Sequence, residues 1–425
     1  MKEDFLHYLW RFQKFDDSSL TTDNAEAIKV VNPGIPNHGG GPDFLHAKVW
    51  IGETLWAGAV ELHIKASSWY HHHHHMDKNY DSVILHVVWE SDVEVCYPSG
   101  RIIPCLVLSS RIHPQLLKQY DKQFKKNHSW IPCEKLFSSF PQIKWQIWKE
   151  RLYLERLERK TLLIHNLLKA NNNDWEGTLF QLLAKNFGLN RNGNFFLKWA
   201  QHIPFSVLRK NFSDPQRLEA LFFGMSGLLE GDLNNPYKKK LKSDFDYLKQ
   251  KFQFTQIPGF KVEFSRLRPP NFPTIRLSQL AQFYHLNQRP FSSLIAANHL
   301  KDLHWILKVG VSDFWKTHFT FDKEGKSTPK KLSKSFFDLL VINTLIPMRF
   351  AYSQKQGWVE DKLVLRWIDE IKTEQNHYTE GFSKLGTQAT SALDSQAMIQ
   401  LKQNYCDKKN CLKCALGFHF IKISP

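Results

Sequence analysis

The sequence predicts a two-part chain: an α/β N-terminal domain over residues 1–135 and a larger all-α domain over residues 136–425. Three observations predict it. Between Asp43 and Lys65 apolar and polar residues alternate twice with the two-residue period of a strand, on either side of the turn residues Gly52-Glu53-Thr54. Ser82 to Glu90, SVILHVVWE, is a near-continuous apolar run, the pattern of a strand covered on both faces. Beyond residue 135 the period changes to three and four, as in the long amphipathic stretch from Lys144 to Lys169.

In chain order, Glu3 to Phe12 has helical spacing, and the acids Glu3 and Asp4 stand where a secretory leader would be basic. AIKVVNPG is a short strand closed by Pro33-Gly34. The three glycines of the next loop let the backbone turn before Asp43. Two strands follow, DFLHAKVWI and LWAGAVELHI, and the second places Glu61, His63 and Lys65 on one face. Ser67 to Asp81 is helical or irregular, and after SVILHVVWE the segment Gly100 to Ser109 supplies a last strand. Further helices are expected at Asp174–Phe187, Gln216–Leu229, Tyr237–Phe252, Arg276–Phe283 and Ala389–Asn404.

With 42% apolar residues and 14 tryptophans among 425 residues, the chain has material for more than one core, which excludes a disordered protein. Its longest apolar runs, such as Phe336 to Met348, are too short to cross a bilayer and hold polar residues, so no membrane and a cytoplasmic location are expected. The net charge of +16 favours a polyanionic partner, DNA or RNA, although excess lysine also serves solubility. Six cysteines are few for this length and fit reduced thiols better than disulfides.

Asp43 and Glu61 can meet across neighbouring strands and form a hard-oxygen site for Mg²⁺ or Mn²⁺, which would bind a phosphate and acidify an attacking water. His63 or Lys65 would then position that water or neutralise the transition state. As a direct ligand, His63 would shift the preference toward Mn²⁺ or Zn²⁺. The alternative is structural: Asp43 caps the turn after Gly39-Gly40-Gly41-Pro42, and Glu61 and His63 line a solvated strand face.

The order helix, three strands, connecting segment and strand resembles the PD-(D/E)XK nuclease superfamily, with Pro42-Asp43 as the PD and Glu61-Leu62-His63 where E-x-K should stand. That resemblance implies a restriction-endonuclease-like core and metal-dependent phosphodiester cleavage. His63 replaces the motif's lysine, and Lys65 is two residues further along the same face. A second resemblance spans nearly the whole chain. The strings NHGGGPDF, VELHIKASSW, YDSVILHVVW, RLRPPNFPTIRLSQLA, LDSQAMIQLK and YCDKKNCLKCALG look like an uncharacterised bacterial family, domain of unknown function 2851. It implies the pattern W-x-x-H-x-H-x-x-D, which here selects Trp69, His72, His74 and Asp77. Those two histidines and Asp77 would extend the site beside Glu61; otherwise the five-histidine run His71 to His75 is a solvated loop.

Two further groups carry chemistry. Cys406-x4-Cys411-x2-Cys414 offers three thiolates at ligand spacing for structural Zn²⁺ or, second, an iron–sulfur cluster, with Cys133, His419 or an external ligand as the fourth; otherwise the thiols are unmetallated. Arg266, Arg268 and Arg276 flank an extended stretch set by Pro269, Pro270 and Pro273. They would form a phosphate fork, which requires exposure, or pair with buried acids. The expected function is a divalent-metal-dependent phosphodiesterase acting on DNA or RNA. The alternatives are a non-catalytic nucleic-acid-binding or scaffold protein and a His/carboxylate metallohydrolase of a small substrate, the last requiring a narrow pocket. In a working site, His63 must point at the metal beside Asp43 and Glu61.

Overall fold

The computed structural model describes residues 3–423 apart from 38, 98, 125–128, 255–261 and 359. An N-terminal mixed sheet is followed by a mostly helical region. The chain divides into two compact units, residues 1–144 with 401–425, and residues 145–400. The expected boundary at 135 thus moves to 144, and the C-terminal segment carrying the cysteine triplet belongs to the sheet unit. The reason is apolar packing: Cys411, Leu412 and Phe418 join the core formed by the first helix and the sheet.

In the first unit, α1 (Glu3–Arg11) buries Phe5, Leu6, Tyr8, Leu9 and Trp10, and the Trp10 indole donates to the Pro33 carbonyl at 3.0 Å. The sheet contains β1 (Ile28–Asn32), β2 (Ile35–Pro36), β3 (Phe44–Ile51), β4 (Thr54–Lys65), β5 (Val83–Glu90) and β6 (Cys105–Val107). Its order is β1-β3-β4-β5-β6, with β2 beside β3. β3 pairs antiparallel with β1 and β4, whereas β4–β5 and β5–β6 are parallel. One face packs Val60, Leu62, Leu85 and Val87 against α1. The other carries Ala59, Val83 and Val88 under Trp69 and Ile103. β5 is therefore covered on both sides, as its unbroken apolar run requires.

Two departures from the sequence expectation have local causes. The strand expected over Gly100–Ser109 shrinks to Cys105–Val107, because Pro104 has no N–H for a ladder. In β3 the partners step from Phe44↔Val60 to Ala47↔Gly58, an extra residue that makes a bulge, with His46 at φ 61°. Close approach of β4 to β5 depends on Gly58, where a Cβ would lie 2.4 Å from the Ile84 side chain and 2.5 Å from the Ser82 carbonyl.

The second unit starts within the long helix Gln142–Ala170 and is helical to Gln400. Its helices begin where capping chemistry dictates. The Asp174 side chain accepts from Gly177 N–H ahead of Trp175–Phe187, and Asn235 caps Pro236–Phe252. A buried polar group sits inside: Glu219 accepts from the Tyr237 and Ser278 hydroxyls at 2.5 Å each and from the Trp315 indole at 3.1 Å.

Candidate metal centre

The second face of the sheet, beneath residues 66–82, gathers the polar side chains that the strand pattern singled out. Asp43 and Glu61 meet, through a reciprocal arrangement. The Asp43 N–H donates to Glu61 Oε2 at 3.0 Å, and the Leu62 N–H donates to Asp43 Oδ2 at 3.0 Å. These bonds close the end of the β3–β4 pair and leave Glu61 Oε1 turned to the histidines. His63 Nε2 lies 3.6 Å from that oxygen and His74 Nε2 lies 3.3 Å from it. His63 Nε2 is also 3.2 Å from His72 Nδ1.

The histidine run reaches this point because it is not one helix. A single turn, α2 (Ser68–His71), ends at His72, and His73 adopts a left-handed φ of 61° before the 3-10 turn His74–Met76. A non-glycine residue in that conformation costs roughly 1–3 kcal/mol. The reversal brings His72 and His74 to the same side, so their ligand atoms and that of His63 all lie within 4.8 Å of one another. Trp69 packs edge-on against His74, and Tyr80 stacks on the same ring with centroids 3.8 Å apart, which fixes its plane.

Electrostatics match a cation site. Burial, reinforced by the charge of Asp43, pushes the Glu61 carboxyl up to about 9. Burial and the neighbouring His86 push His63 down to about 2, and burial above all pushes His86 down to about 3. Neutral imidazoles are the ligand form, and a cation would return Glu61 to its carboxylate. His74 Nε2 is buried and makes no hydrogen bond among the described residues, although Glu61 Oε1 is close. For metal–nitrogen bonds of about 2.0–2.1 Å, the edge of a tetrahedral site is about 3.3–3.4 Å. Three separations within the group, 3.2, 3.3 and 3.6 Å, bracket that edge, and the histidine nitrogens all lie within 4.8 Å of one another.

Two participants join the group that the strand pattern does not single out. His86 Nε2 is 2.9 Å from His63 Nδ1, so the ring behind His63 is oriented by a second imidazole. Its signal was one polar residue inside the apolar run of β5. His7, on α1 one turn after Glu3, places Nε2 3.3 Å from Asp43 Oδ2. Burial opposes its charge, yet the Asp43 carboxylate outweighs that and raises its pKa.

Other expected site residues stand elsewhere. Lys65 is exposed, with Nζ 3.9 Å from Glu90 Oε2, so it does not join Glu61. Asp77 turns to its own backbone, accepting from the Asn79 N–H at 2.9 Å to cap the turn Lys78–Tyr80.

Residues 3–377 match the family described as a protein of unknown function, DUF2851. The chain belongs to that family. No match was found among curated proteins or among solved structures. The DUF2851 span includes every member of the His/carboxylate group and stops short of Cys406.

Of the three arginines in this DUF2851 chain, Arg266 and Arg268 are exposed and Arg276 is not. Arg276 lies under 3.5 Å-distant Phe336, donates to Asn271 and Gln279, and is held down to about 9 by burial. The three-arginine fork is therefore corrected: Arg276 serves the helical core. All four candidate cysteines, by contrast, line one pocket of the sheet unit, with Ile131 and Leu416 among its walls. Burial raises the Cys406 thiol, and Cys414, Cys133 and Cys411 raise it further, in that order. His419 instead packs edge-on against Phe140.

Proposed function

We propose that this chain is a divalent-metal-dependent phosphodiesterase acting on DNA or RNA, with Glu61, His63, His72 and His74 as the ion's ligands. The observation that carries the reading is the group His63, His72 and His74, whose ligand nitrogens lie within 4.8 Å of one another, with Glu61 Oε1 3.6 Å from His63 Nε2 and 3.3 Å from His74 Nε2. A donor set rich in imidazole favours Mn²⁺ or Zn²⁺ over Mg²⁺. The ion would polarise a phosphoryl oxygen and lower the pKa of a bound water. Asp43, tied to Leu62 N–H and His7, keeps Glu61 in place through its backbone. His72 is the exposed member, which opens the centre to substrate on that side.

The first unit is read as a variation on the restriction-endonuclease-like core. Supporting this are α1 ahead of the sheet, Asp43 at the start of β3, Glu61 on β4, and a parallel β5 after a connecting segment. In this variation the motif's lysine position is His63 and carries a ligand.

A nucleic-acid substrate is supported by the net charge of +16 and by a groove of ≈ 520 Å³ in the helical unit. Lys301, Lys308, Lys331 and Lys334 line that groove together with Trp305, which is 72% exposed. Cations beside an exposed indole suit phosphates and an unstacked base.

The test is cleavage of labelled single- and double-stranded DNA and RNA by metal-stripped protein supplied with Mn²⁺, Zn²⁺ or Mg²⁺. Cleavage with Mn²⁺ or Zn²⁺ that falls at least 100-fold in Glu61→Gln is the expected result, since a ligand is removed. Salt-sensitive binding without cleavage under any ion would replace the reading with a non-catalytic nucleic-acid-binding protein.

A further inference from the structure

The structure assigns a second, sulfur-ligated metal centre to the sheet unit: we propose that Cys133, Cys406, Cys411 and Cys414 together hold an iron–sulfur cluster or a zinc ion. The four come from distant parts of the sequence yet line one pocket, whose other walls include Ile131, Leu401 and Leu416. As thiolates they match soft or borderline metals and exclude Mg²⁺ and Ca²⁺.

The local backbone is shaped around these residues. The helix Ala392–Gln400 continues as a π-helical run, Leu401–Cys406, and no proline lies in or just after that run to cause the widening. It ends on Cys406. Lys409 then takes a left-handed φ of 55°, and the N–H groups of Lys409 and Asn410 return to the carbonyls of Cys406 and Tyr405. Cys411 opens a 3-10 turn and Cys414 closes it, directly before the helix Ala415–Ile423. Gly417 is required there, because a Cβ would stand 2.1 Å from the Cys411 carbonyl oxygen. Four thiolates around such a centre leave net negative charge. The positive end of the last helix and Lys402, near Trp130 and Asp407, are placed to offset it.

The two occupants differ in the spacing they need. A tetrahedral zinc with Zn–S bonds of about 2.3 Å needs sulfurs about 3.8 Å apart. Among the described residues, His63, His72 and His74 are gathered within 4.8 Å of one another, whereas no three of the cysteine sulfurs are. A polynuclear cluster, each iron taking one thiolate, would hold its sulfurs further apart, and metal content decides between the two occupants. The centre would tie the segment at Cys133 to the C-terminal segment, independently of the His/carboxylate site.

The test is iron, zinc and acid-labile sulfide content of the full-length chain purified without oxygen, with the visible absorption spectrum. Iron and sulfide in equal amounts, about four of each per chain, would support the centre and assign it a cluster. Both should be lost in Cys133→Ser as well as in Cys411→Ser. About one zinc per chain, lost in the same variants, would keep the four-thiolate site and assign it a mononuclear ion. Should either variant fail to fold, thiol titration of the wild-type chain decides: metal release in step with reaction of four thiols supports the centre. Wild-type protein that carries neither metal, takes up neither on reconstitution and reacts at all four thiols without releasing metal would overturn the proposal.

Discussion

His86 stands behind the histidine group, where it can orient a ligand without being one. Its Nε2 lies 2.9 Å from His63 Nδ1, which fixes the ring whose other nitrogen faces Glu61. Removing such an orienting partner typically lowers metal affinity 10- to 100-fold. His86→Ala should therefore weaken Mn²⁺ binding by roughly that factor in a calorimetric titration, with helix and sheet content unchanged; unchanged affinity would leave His86 a packing residue. Lys65→Ala should shift stability by less than about 0.5 kcal/mol in denaturant unfolding, because its pair with Glu90 is more than half exposed on both sides. Asp43, Glu61 and His63 were legible because a two-residue period and a neighbouring strand bring such groups together. His7 and His86 were not, since one histidine in a helix or a strand has no spacing to betray its partner. Arg276 misled because side-chain burial is invisible in a proline-rich stretch.

At the level of elements, the site depends on how closely β5 lies against β4, and Gly58 sets that distance. Gly58→Ala would force Ile84 and the Ser82 backbone apart, at about 1–3 kcal/mol by the usual cost of overpacking. A lower melting temperature with weakened metal binding is the expected outcome, because Glu61 pairs in register with His86 across that seam. Strands β3, β4 and β5 were readable from alternation and from one apolar run. The bulge that follows Phe44 was not, since nothing in its composition announces an extra residue. Nor was the left-handed His73, although it decides which of the five histidines face Glu61. The last strand is shorter than its apolar run because Pro104, which has no N–H for the ladder, interrupts it.

For the whole molecule, the two-part organisation followed from the change of hydrophobic period, but the return of residues 401–425 to the sheet unit did not. Only the expectation that Cys133 completes the cysteine set pointed to it. The basic charge carries a prediction of its own. Affinity for single-stranded nucleic acid should fall steeply with salt, and Trp305→Ala should lower it by about 1–3 kcal/mol, the worth of one stacked base, without altering the salt slope. Filter binding across a salt series measures both.

The central claim is that imidazole nitrogens from His63, His72 and His74 join Glu61 around one ion, and pulsed electron paramagnetic resonance of the Mn²⁺-loaded chain tests it directly. The account predicts histidine nitrogen couplings to Mn²⁺ that disappear when all three histidines are replaced by alanine. A Mn²⁺ spectrum with only oxygen ligands, identical in that variant, would contradict it.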